Sequence, residues 1–196
     1  MSLLGHLEDR LARGETLRIL GLGNSLVYGW MVERGFFDRF CDFLQALHPQ
    51  GRVVGRNAGI PGDTAEGGAG RLPALLADRP DLVIVEFGLN DCFMGVPPKL
   101  FEQDLRRIAD TAEATGTVPL LVTSCMLASP HEAALVRPYY KVIRALGLEG
   151  IPVTDLEAYQ ACANEGDDLW LEDGVHPSDL GHAQMARGLL ERVREG

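Results

Sequence analysis

Ser25, His176 and Asp173, the last lying three positions before the histidine, are the residues whose types and spacing allow covalent catalysis in this chain. A serine hydroxyl is a poor nucleophile at neutral pH and needs a base such as imidazole to take its proton. The imidazole needs its Nδ1–H held, and its positive charge stabilised, by a carboxylate. A separation of three residues lets one turn of chain make that contact locally. The tetrahedral intermediate of acyl transfer then needs hydrogen-bond donors aimed at its oxyanion. The Ser25 N–H, the Gly62 N–H and the Asn90 side-chain amide are groups of the right kind. Each also has a plain structural reading. Ser25 alone is a turn residue, and Gly62-Asp63-Thr64-Ala65-Glu66 is a helix start with Asp63 as N-cap. Gly88-Leu89-Asn90-Asp91 reads as a strand-ending turn and Asp173-Gly174-Val175-His176-Pro177 as a solvated one. The combination, rather than any one residue, points to nucleophilic catalysis.

Something must bring these residues together, and the hydrophobic pattern says what. Ile19-Leu20-Gly21-Leu22-Gly23 reads as a buried strand that breaks into a tight turn and presents Ser25. Further strands are expected at residues 81–87, 118–123 and 151–154, and another starting at Arg52. Residues 81–87 are apolar on both faces and therefore central and parallel. Between strands, apolar residues recur every three or four positions. Phe36, Phe37, Phe40, Phe43, Leu44 and Leu47 mark one helix, and Phe101, Leu105, Ile108 and Ala112 another. Helices are also expected over residues 3–11, 133–146 and 156–163, and from an N-cap at Ser178 to the end. Alternating strands and helices imply one three-layer α/β/α domain over residues 1–196, with a mainly parallel five-stranded sheet. All strand C-termini of such a sheet share one edge. The loops carrying Ser25, Gly62, Asn90 and the Asp173/His176 pair meet there.

The chain has 196 residues, 46% of them apolar and 23% charged, with a net charge of -10. That balance suits one soluble domain and argues against nucleic acid and anionic lipid surfaces as partners. The longest apolar run, Leu82-Val83-Ile84-Val85, has the length of a strand and not of a membrane span. The first ten residues carry no basic start followed by an apolar stretch, so a cytoplasmic location is expected. Cys41, Cys92, Cys125 and Cys162 are dispersed and read as buried free thiols, and the five histidines are scattered. Neither a metal site nor a cofactor is expected. The oligomeric state is not legible.

Four blocks in order then resemble the SGNH hydrolases, also called GDSL-type esterases and lipases. Gly23-Asn24-Ser25 matches the first block apart from Asn24, and residues 57–64 look like the second, with its glycine at Gly62. Gly88-Leu89-Asn90-Asp91 matches the third and Asp173-Gly174-Val175-His176-Pro177 the last. The resemblance implies a flavodoxin-like sheet, a Ser25-His176-Asp173 triad and an oxyanion hole from Ser25, Gly62 and Asn90. It implies hydrolysis of a small-molecule acyl ester or thioester without a cofactor. The second block and the following Arg71-Leu72-Pro73-Ala74-Leu75-Leu76 look most like the bacterial branch with thioesterase, arylesterase and lysophospholipase activities.

Asn24 stands where the family has aspartate. Asparagine keeps an accepting side-chain oxygen and removes a negative charge beside a developing oxyanion. Asn24→Asp is therefore expected to change kcat/KM by less than about tenfold, measured on a p-nitrophenyl ester.

Two other motifs fail on single residues. The dinucleotide fingerprint G-x-G-x-x-G needs glycine at Leu26, and the G-x-S-x-G elbow needs it at Val27. A non-catalytic binding protein on the same fold and a carbohydrate O-acetyl esterase are the remaining alternatives. Trp30, Met31, Phe93, Met94 and Val96 lie in loops beside the site and are candidates for lining an acyl pocket, or for covering the edge of the core. His131, Tyr139 and Tyr140 read as structural or rim residues.

Overall fold

The computed structural model describes residues 3–163 and 166–195. Its centre is a sheet of β1 (Thr16–Gly23), β2 (Arg52–Gly59), β3 (Leu82–Glu86), β4 (Val118–Val122) and β5 (Val153–Thr154). The spatial order is β2-β1-β3-β4-β5 and every pairing is parallel. This is the flavodoxin-like order, whose direction reverses between β1 and β3, where ligand sites form. The α/β expectation holds, with a sheet more uniformly parallel than expected.

Strand residues alternate between two cores, as the period of two demands. Ile19, Leu82, Ile84, Leu120 and Val122 face the layer of α1 (Leu3–Ala12), α3 (Phe36–Leu47) and α9 (Asp179–Glu195). Leu20, Leu22, Val83, Val85 and Leu121 face α4 (Ala65–Leu75), α6 (Pro98–Glu113) and α7 (Pro130–Leu148). All five residues of β3 are buried, which makes it the central strand. β2 is an edge strand, with Arg52, Gly55, Arg56 and Asn57 exposed.

Several boundaries differ from the sequence reading. Gly88-Leu89-Asn90-Asp91 is no plain turn: it opens a short helix, α5 (Leu89–Phe93), with Gly88 at φ 122°. Asp63 does not cap α4, because Thr64 holds the cap position with no side-chain bond. The Asp63 carboxylate instead takes the Thr64 N–H and pairs with Arg71. The N–H of Ala65, the first residue of α4, is satisfied from across the chain by Asp91 Oδ1 at 3.0 Å. The helix expected over 156–163 stops at Gln160 as α8 (Leu156–Gln160). Ser178 does cap α9, its hydroxyl accepting from Gly181 N at 3.2 Å. Cys162 is exposed, contrary to the expectation of buried thiols, whereas Cys125 is buried. Tyr139 and Tyr140 are buried in the core, and His131 is exposed. No described helix is long and apolar enough to cross a membrane.

α9 carries a buried titratable group that packs it on α3. His182 is 1% exposed, its Nδ1 accepts from Phe36 N at 3.1 Å, and its ring stacks on Phe36. Burial, with Arg39 adding, pushes its pKa down to about 4. An unfolded histidine titrates near pH ~6.5. As pH falls from there towards about 4, the unfolded chain takes up a proton that the folded one refuses. The stability His182 contributes is complete above that window and is lost within it, by roughly 3 kcal/mol at the acid end. Thermal unfolding is expected to show Tm falling on acidification across the window, and His182→Gln to flatten that fall.

Candidate active site

β1 ends at Gly23, and the chain turns through Asn24 into the short helix α2 (Ser25–Tyr28). Asn24 caps that helix, its Oδ1 accepting from Leu26 N at 2.9 Å. Ser25 is the first helical residue, so its own N–H has no intrahelical partner. An aspartate at position 24 would keep the capping oxygen, which agrees with a small expected effect of Asn24→Asp. Gly23 is a glycine by necessity, since a Cβ there would lie 2.6 Å from the Glu86 carbonyl oxygen.

The chain after α8 brings the other two residues to the same edge. Trp170 and Pro177 form an antiparallel bridge, and Leu171 N donates to His176 O at 2.8 Å, which closes the loop between them. Inside it, Asp173 Oδ1 accepts from Val175 N and His176 N, each at 2.9 Å. Asp173 Oδ2 lies 2.6 Å from His176 Nδ1. A carboxylate only accepts, so Nδ1 carries the proton and Nε2 presents a lone pair. His176 Nε2 is 3.0 Å from Ser25 Oγ, within range to accept the hydroxyl proton. Burial alone would raise the Asp173 pKa, but the bonds from the His176 ring and from the His176 and Val175 amides hold it below the ordinary value. Asp173 thus stays ionised beside the imidazole. Ser25 is 9% exposed, open enough to be reached.

Of the remaining expected donors, Gly62 follows β2 and Asn90 follows β3, the two strands that flank β1. Asn90 Nδ2 donates to Asp63 O at 2.8 Å, which orients its amide and ties α5 to the loop after β2. Gly62 sits in that loop at φ 83° with open space around it, so backbone conformation rather than crowding calls for glycine. Trp30, Met31, Phe93 and Met94 are exposed, with Tyr28 and Ile60 exposed near them. Val96 differs from that group: it packs against the core beside α6, and its carbonyl accepts from the Tyr139 hydroxyl. Among the described residues, no cluster of three or more histidine, cysteine, aspartate or glutamate side chains is placed to hold a metal ion.

The sequence profile of the GDSL-like lipase/acylhydrolase family matches residues 22–184, which run from the end of β1 into α9. The chain belongs to that family. The chemistry of the family is carboxylic ester hydrolysis. Over 174 residues the chain is 32% identical to the thioesterase 1/protease 1/lysophospholipase L1 of Escherichia coli K12, covering 86% of this chain and 78% of that protein. It is 38% identical over 120 residues to the esterase TesA of Pseudomonas aeruginosa, covering 57% of this chain but only 55% of that one. The lipase/acylhydrolase of Enterococcus faecalis superposes with a TM-score of 0.79 at 24% identity, over 91% of this chain and 96% of that one, a likeness of fold.

Three polar residues of this GDSL-family chain support the site through contacts that the sequence does not show. Arg71 on α4 donates to Asp63 Oδ2, Ala58 O and Gly23 O, so one guanidinium clamps the ends of β1 and β2 and the Gly62 loop. Asp91 is 1% exposed and accepts from Ala65 N and Gly88 N, fixing the turn that carries Asn90. Glu86 is fully buried at the end of β3, beside Gly23 and Asn24. An acidic residue ending an otherwise apolar run is the one sequence signal for Glu86. Arg71 and Asp91 lie in stretches that carry the family resemblance, but their partners on other elements are not legible there.

Proposed function

We propose that the protein is a serine carboxylic ester hydrolase acting through an acyl-enzyme, with Ser25 as nucleophile, His176 as general base and Asp173 as its partner. The observation that carries this reading is the unbroken hydrogen-bonded series from Asp173 Oδ2 through His176 to Ser25 Oγ, with steps of 2.6 and 3.0 Å. Ser25 Oγ attacks the acyl carbonyl carbon while His176 Nε2 takes its proton. The resulting oxyanion is held by the Ser25 N–H, the Gly62 N–H and the Asn90 amide. Collapse expels the alcohol or thiol, which receives the proton from His176. Water then repeats the sequence on the acyl-enzyme and releases the acid. No cofactor is needed.

The substrate class we infer is an acyl ester or thioester with an apolar chain, lysophospholipids included. Support comes from the exposed Tyr28 at the end of α2, Phe93 at the end of α5, and Trp30, Met31, Ile60 and Met94 in the turns that follow α2, β2 and α5, a surface on which a chain can lie. The name of the Escherichia coli relative, a thioesterase and lysophospholipase, points the same way. The test is hydrolysis of p-nitrophenyl acetate, butyrate and longer esters, with matched thioesters, by wild type and Ser25→Ala. Turnover that persists or rises beyond butyrate supports the reading. Wild type and variant equally inert on every chain length would end it, and a profile confined to acetyl groups would overturn the apolar-chain part alone.

A further inference from the structure

Glu86 is 0% exposed and lies next to the nucleophile turn, yet no step of the reaction proposed above uses it. It closes β3 in register with Gly23 of β1. Its Oε1 accepts from Asn24 Nδ2 at 3.5 Å and from the Ser124 hydroxyl, and the Asn24 backbone N–H acts on the same carboxyl group. Its Oε2 is buried with no hydrogen-bond partner among the described residues. The other titratable groups around it are Asp91 on α5, Cys125 following β4, and Tyr140 on α7. None of them is cationic. A buried carboxylate with one unpartnered oxygen and no cation beside it is costly, whereas the neutral acid leaves only one O–H unsatisfied. Burial, which outweighs the bonds from Ser124 and Asn24, pushes the Glu86 pKa up to about 7.

Asn24 joins this carboxyl group to the reacting atoms. Its Nδ2 meets Glu86 while its Oδ1 caps α2 at Leu26, and the residue between is Ser25. The side-chain amide is thus held at both ends, at Oδ1 by Leu26 N and at Nδ2 by Glu86 Oε1. We propose that Glu86 is a positioning residue for Ser25: as a neutral acid it holds Asn24, and through Asn24 the first turn of α2, so that Ser25 Oγ is aimed at His176. The proposal rests on Ser25 being the nucleophile. An aspartate at position 24 would keep the contact by sharing the Glu86 proton, in line with the small effect expected of Asn24→Asp.

The test compares Glu86→Gln with Glu86→Met on a p-nitrophenyl ester, alongside Ser25→Ala. Gln keeps an oxygen acceptor and carries no charge, whereas Met fills a similar volume and offers no acceptor. The expected result is that Gln retains at least about a third of kcat, while Met loses at least about tenfold in kcat with KM within about twofold. Met at wild-type kcat, or Gln as impaired as Met, overturns the proposal. If Met does not fold, the pH–rate profile of Gln decides. Wild-type kcat/KM is expected to fall as pH rises through neutrality, because ionised Glu86 sets a buried negative charge against the oxyanion. Gln should lack that fall, and superimposable profiles overturn the proposal. Activity surviving in Ser25→Ala would instead show that the nucleophile assignment has failed.

Discussion

Ser25→Ala is expected to lower kcat by at least about a thousandfold while leaving KM within a few-fold of wild type. A factor of that size corresponds to about 4 kcal/mol of transition-state stabilisation. The reason is geometric: Ser25 Oγ is the hydroxyl placed 3.0 Å from His176 Nε2, and alanine leaves no atom to form the acyl-enzyme. The substitution removes one oxygen from a residue whose backbone, not its hydroxyl, forms α2, so the fold should be unchanged. His176→Ala should cost a similar factor, since an unassisted serine is protonated at neutral pH. The double variant should be little worse than either single one, because the two act as a unit. Steady-state kinetics on p-nitrophenyl butyrate measures all three. A near-normal rate for either single variant would sink the assignment.

Asn90→Ala is expected to lower kcat by roughly 10²–10³, the usual cost of losing one oxyanion donor. The Asn90 amide donates to Asp63 O at 2.8 Å, which aims its remaining N–H at a set angle. Alanine removes the donor and also the tie between α5 and the Gly62 loop, so two donors are affected by one substitution. The loss should appear in kcat and kcat/KM alike, because an oxyanion donor acts in the transition state and not on the bound ester. A rise in KM with kcat preserved would mean that Asn90 only shapes the binding surface.

Much of this arrangement is legible in the amino-acid sequence alone. Period-two and period-3.6 patterns place the strands and the main helices, and a parallel α/β sheet leaves its strand ends on one edge. Ser25, Asp173 and His176 are legible because the chemistry needs those residue types, and the short Asp173–His176 spacing makes their contact local. Asp63 misleads for a physical reason. Its position before the helix fits a capping role, but Arg71 eight residues on competes for the carboxylate and Asp91 supplies the capping oxygen instead. Val96 packs against the core although Phe93 and Met94 just before it are exposed, a difference the sequence pattern does not show. Glu86 escapes a sequence reading because its significance depends on Asn24 and Ser124, 62 residues before and 38 after it. Contacts of that span leave no periodic trace.

The most direct measurement of the central claim is covalent labelling with a p-nitrophenyl phosphonate ester. The phosphorus stands in for the tetrahedral acyl carbon, and the adduct does not hydrolyse on the time scale of turnover. The expected result is release of one equivalent of p-nitrophenol per chain, complete loss of esterase activity, and a single phosphonyl group mapped by peptide mass spectrometry to Ser25. A label on another residue that abolishes activity, or full activity after Ser25 is labelled, would contradict the account.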